Sequence, residues 1–147
     1  MNSPPFDIGN TTKGAFDILV DKNTRCALNA KEMAKKNNIK SQSNGALMRC
    51  TPMAVWTSNL KDDIEIKNAI SEDVEMSHPN QVVVNAVFLY SKAIHYLVNN
   101  PCEKDRNLKA FNLVLELSQT DIANARDNLV SCNDMFKDSL KLSKAAD

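Results

Sequence analysis

Residues 41–52 read SQSNGALMRCTP, and the helix they open decides how the chain is organised. Ser43, Asn44 and Gly45 make a short polar loop, and Ala46, Leu47 and Met48 turn apolar at once. A Ser or Asn just before an apolar run is a helix N-cap signal. Free N–H groups at such a start can hold an anion, and a glycine there lets a phosphate come close to the backbone. Arg49 lies four residues after Gly45, on the same helix face. The same string also reads as an ordinary helix cap followed by a structural arginine, and local chemistry alone leaves both readings open.

Working outward, the pattern is helical on both sides. The central helix spans residues 45–58, with Pro52 bending or interrupting it and with Leu47, Met48, Met53, Val55 and Trp56 as its apolar surface. Before it, Thr11 or Thr12 can cap a helix carrying Ala15, Phe16, Leu19 and Val20, and residues 29–36 form a second short helix. After it, Asp62 with Glu65 reads as an acidic capping box. That role accounts for the Asp62-Asp63 pair better than a metal site does. Ile64, Ile66, Ala69, Ile70, Val74 and Met76 make the helix that follows amphipathic.

The clearest helix covers residues 80–99, where Val83, Val87, Tyr90, Ile94 and Leu97 recur at helical spacing. His95 lies beside that stripe as a partly buried structural histidine. Leu108, Phe111, Val114 and Leu115 mark another helix, and Ile122, Ala125, Leu129, Cys132, Phe136 and Leu140 a last one. No strand pattern or internal repeat competes, so the expected fold class is all-α.

Composition narrows the function. The 147 residues carry 18 basic and 18 acidic side chains, no basic block stands out, and aromatics make up 5%. A nucleic-acid footprint is therefore not expected. Cys26, Cys50, Cys102 and Cys132 are widely spaced and make no C-x-x-C pair, so their spacing suggests neither zinc nor disulfides. With no signal peptide and no membrane-length apolar run, the expected compartment is intracellular, most simply the cytoplasm, with no membrane partner.

Three ordered stretches together resemble one family. The string SNGALMRCTP is similar to the N-G-A-x-M-R-x-x-P segment of the ADP-ribosylglycohydrolase family, which includes the dinitrogenase-reductase-activating glycohydrolases. Residues 5–12, PFDIGNTT, resemble the D-I-G-N stretch of its bacterial members, and residues 77–80, SHPN, its T-H-P-N element. The resemblance runs from residue 5 to about residue 96, and residues 97–147 continue as helix. It implies an orthogonal multi-helix domain that cleaves the glycosidic bond between ADP-ribose and an acceptor side chain, with ADP-ribose or an ADP-ribosylated protein as partner and magnesium as cofactor.

By the same resemblance, Ser43, Asn44 and Gly45 contact the phosphate and ribose region. His78 lines that pocket, Asn10 stands at its mouth, and Asp7 lies near the reacting ribose as the catalytic candidate. Read by themselves, Asp7 is a turn former, Asn10 a cap and His78 a pre-proline loop residue. The family's T-D-D-T and D-x-D-T metal motifs have no counterpart here, and no glycine follows Gly45. No metal ligand is assigned. The expectation is one incomplete domain of the family type: a truncated frame, one product of a split gene, or a degraded relative. Its function would be hydrolysis of ADP-ribose linkages. The alternatives are a non-catalytic ADP-ribose-binding or interaction remnant and an unrelated helical bundle.

Overall fold

The computed structural model describes residues 9–17 and 26–120. In chain order the helices are α1 (Asn10–Phe16), α2 (Ala27–Asn38), α3 (Gly45–Arg49), α4 (Thr51–Thr57), α5 (Asp63–Glu75), α6 (Gln81–Asn99) and α7 (Arg106–Thr120). No strand occurs among the described residues, and the fold is all-α. The expected helix over residues 122–140 and Leu19 and Val20 lie outside the described residues.

The helix on which the others pack is α6, which meets α3, α4, α5 and α7. It starts where Asn80 Oδ1 accepts the Val82 N–H at 3.0 Å, and it stops at Asn100, just before Pro101. Val83, Val84, Val87, Phe88, Ser91 and Lys92 form its buried rows. Tyr90 faces outward, and Ile94 and Leu97 are only partly buried, so the core-facing stripe is narrower than the sequence suggests. By length and composition α6 could also cross a membrane, contrary to the expectation that no such run exists. Its packing against four helices accounts for the same apolar composition.

The first partner is α5. Asp62 Oδ1 accepts from the Ile64 and Glu65 N–H groups, as a cap should. Ile66, Ile70 and Val74, four apart, are fully buried against the α6 valines, and each contributes about 1.5–3 kcal/mol by leaving water. Ile64, counted in that face from sequence, is 71% exposed. Beyond the end of α4, His95 Nε2 meets the Leu60 carbonyl at 3.1 Å, which fits a structural role for that histidine.

Residues 45–58 form two short helices instead of one, broken at Cys50. Pro52 falls in the first turn of α4, where a missing N–H removes no helical bond. The buried face differs from the expected one. Ala46, Cys50, Ala54 and Thr57 point inward, while Met48 is 79% and Trp56 57% exposed, with Leu47 and Val55 also outward. Small side chains let α3 and α4 lie close to α6, and larger ones would be overpacked there. The same economy holds in α2, where Ala30, Ala34 and Asn38 make the buried face. On α7, Ala110 is buried and Val114 and Leu117 pack on Leu89, whereas Leu108, Phe111 and Leu115 stay exposed.

Candidate ligand site

The turn from α5 to α6 carries the third of the family-like stretches. The N–H groups of Ser77 and His78 both donate to the Val74 carbonyl, at 3.1 and 2.8 Å, and this folds the chain back so that both side chains are fully buried. His78 uses both ring nitrogens. Nδ1 lies 2.8 Å from Ser77 Oγ, and Nε2 lies 3.0 Å from Ser43 Oγ. Ser43 Oγ in turn donates to Thr11 Oγ1 at 3.0 Å, and Thr11 Oγ1 lies 3.0 Å from Ser41 Oγ. One hydroxyl, that of Ser43, therefore joins all three stretches that carry the sequence resemblance.

Behind His78 stands a charged support. Arg49 Nη1 donates to Asp73 Oδ2 at 2.6 Å, and Nη2 donates to the Asp73 carbonyl at 2.6 Å and to Ser77 Oγ at 3.0 Å. Arg49 Nε is buried and has no partner among the described residues. Asn38 closes the floor, donating from Nδ2 to the carbonyls of Thr11 (2.7 Å) and Ser77 (3.0 Å). Burial, and then the charge of Arg49, lower the His78 pKa below its ordinary value, so the ring is neutral near pH 7. Burial likewise raises the Cys50 thiol pKa, which keeps that side chain an apolar filler.

Gly45 sits where these parts touch. A Cβ built on it would meet His78 Nε2 at 2.9 Å, His78 Cε1 at 3.0 Å and Thr12 Oγ1 at 3.1 Å. The side-chain space of Gly45 is thus taken by the histidine ring and a threonine hydroxyl. This gives the glycine a packing reason that the sequence reading did not foresee. Asn44 precedes α3 but makes no side-chain cap bond, so its amide is left exposed at the surface. The five residues of α3 are too few to build the dipole of a long helix.

Asn10 is the exposed first residue of α1, next to Thr11, and the cap position belongs to Gly9 instead of a threonine. Asp7 lies outside the described residues. Sequence reasoning missed Thr11, Thr12 and Ser41 as partners of the site, having read the threonines as caps. It also missed the Asp73–Arg49–Ser77 support and Asn38. Ser77 was within the quoted SHPN string, but nothing in the sequence singles out Asp73 or Asn38.

A family model described as ADP-ribosylglycohydrolase matches residues 1–145. The chain belongs to that family. The match takes in residues beyond 96, where the resemblance read from sequence weakens. No curated protein and no solved structure gave a significant match.

As a member of the ADP-ribosylglycohydrolase family, the chain can be tested for a fit to magnesium. Hard divalent cations need several oxygen ligands from fixed positions. Among the described residues no group of three or more His, Cys, Asp or Glu side chains could hold a metal. Asp62 caps α5, Asp63 binds Lys92, Asp73 binds Arg49, Glu72 and Glu75 bind Lys31, and Glu103 binds Lys109. Among the described residues, these side chains do not make a magnesium site.

Proposed function

We propose that the chain takes the ADP-ribose of a modified protein or small acceptor at the Ser43–His78 corner, as an ADP-ribosylglycohydrolase-type hydrolase. The observation that carries this reading is the meeting, at the Ser43 hydroxyl, of the three stretches that resemble the family. The diphosphate would dock over Ser43 and Asn44, with Gly45 supplying backbone, the buried His78 supporting Ser43 from behind and Asn10 at the rim. By the resemblance alone, Asp7, outside the described residues, is the catalytic candidate. Hydrogen bonds to a charged phosphate contribute roughly 1.5–3 kcal/mol each. An open, water-filled site weakens them. The expected affinity is nearer millimolar than micromolar.

A second reading, a non-catalytic ADP-ribose-binding or interaction chain, is favoured among the described residues by acidic side chains engaged in a cap and in ion pairs. Calorimetry with ADP-ribose tests the binding common to both. Ser43→Ala and Asn44→Ala should weaken it, and Asp62→Ala should leave it unchanged. Unchanged binding in both of the first two variants would put the ligand elsewhere. Magnesium-dependent release of ADP-ribose separates the two readings: the hydrolase reading expects it, and the non-catalytic reading expects little or none. Robust release, abolished by a chelator, would sink the non-catalytic reading.

A further inference from the structure

The bonds around His78 have a direction. A guanidinium only donates, so Ser77 Oγ accepts from Arg49 Nη2 and its own proton is free to point at His78 Nδ1. On the far side Ser43 Oγ donates to Thr11 Oγ1, so it must accept from His78 Nε2. The Ser43 side places the single proton of the neutral imidazole on Nε2, and the Ser77 side, with its proton turned to Nδ1, matches that tautomer. The resulting chain runs one way, from Arg49 through Ser77, His78 and Ser43 to Thr11.

We propose that Arg49 and Ser77 are positioning residues that hold His78 as the Nε2–H tautomer and thereby prime the Ser43 hydroxyl to donate to an anionic oxygen of the ligand. Each donor in such a chain polarises the next, so a hydroxyl that accepts from a ring N–H becomes a better donor itself. Ser43 has one proton, now directed at Thr11. Turning it towards a phosphate oxygen keeps the His78 bond and gives up only the Thr11 bond, and Thr11 still has Ser41 as a neighbour. Arg49 is anchored on Asp73 through two 2.6 Å bonds, so its charge reaches the ligand through this chain and not by contact. The tautomer stands on the geometry alone, whereas the priming rests on the ADP-ribose reading above.

Long-range nitrogen–proton NMR on the full 147-residue chain at pH 7.5 tests the proposal. The expected wild-type spectrum shows His78 protonated on Nε2, with Nδ1 shifted as a hydrogen-bond acceptor. In Ser77→Ala the Nδ1 signal should move to its unbonded position, and Ser77→Thr should restore it. ADP-ribose affinity should fall roughly two- to fourfold in Ser77→Ala, the size expected when one bond of a cooperative chain is lost. A wild-type proton on Nδ1 overturns the proposal, as does an Nδ1 signal that Ser77→Ala leaves in place. If Ser77→Ala does not fold, the wild-type tautomer still decides. An Nε2–H tautomer with no ADP-ribose binding would uphold the relay and sink the ligand reading instead.

Discussion

A Cβ on Gly45 would stand 2.9 Å from His78 Nε2, closer than real side chains approach. The glycine at this position and the histidine 33 residues later are therefore one packing unit. Gly45→Ala should destabilise the fold by about 1–3 kcal/mol, the usual cost of forcing a methyl into a filled space. Pairing it with His78→Ala should recover part of that cost, because the second change empties the space. Urea unfolding of the four proteins in this cycle measures the coupling. A Gly45→Ala midpoint equal to wild type would mean the contact is softer than described.

Stability should depend on pH through His78. Its folded pKa is lowered by burial and by Arg49, so below about pH 6.5 the unfolded chain binds the proton more readily than the folded one. Stability from this group is therefore complete above about 6.5 and is lost as pH falls towards the lowered folded value. Urea midpoints taken between pH 7.5 and 5.5 should fall on acidification, and His78→Asn should flatten that slope. An equal slope in the variant would assign the effect to other groups.

Asp62→Ala removes the acceptor that holds the Ile64 and Glu65 N–H groups. The cost should be about 1 kcal/mol, as for other lost caps, with Asp62→Asn close to neutral. Thermal melts of both variants read this directly.

Ser91 is buried on α6, and its hydroxyl has no hydrogen-bond partner among the described residues. Ser91→Ala takes away an unsatisfied polar atom and adds a better helix former. A gain of about 1 kcal/mol is expected in chemical denaturation, and a clear loss would show that the hydroxyl is satisfied in solution.

The sequence is most readable where large apolar residues and side-chain caps agree. Ile66, Ile70 and Val74 behind Asp62, and Val83 and Val87 behind Asn80, fall as their spacing predicts. It misleads at α3 and α4, because hydrophobicity draws attention to Met48 and Trp56 while close packing is done by Ala46, Cys50 and Ala54. Within the site, Ser43 and His78 stand out because they lie in strings that resemble a family. Asp73 does not, since a charge on an amphipathic helix reads as solvated until the arginine 24 residues earlier is seen to reach it.

The Ser43 hydroxyl ties together residues 32 and 35 positions away along the chain. Contacts of such separation form only after the entropy of closing long loops has been met. This junction therefore has no local precursor: it comes into being with the tertiary fold and disappears with it. A ligand that bound only this assembled junction would link its occupancy to global folding. Such a ligand would stabilise the fold appreciably only at concentrations well above its dissociation constant.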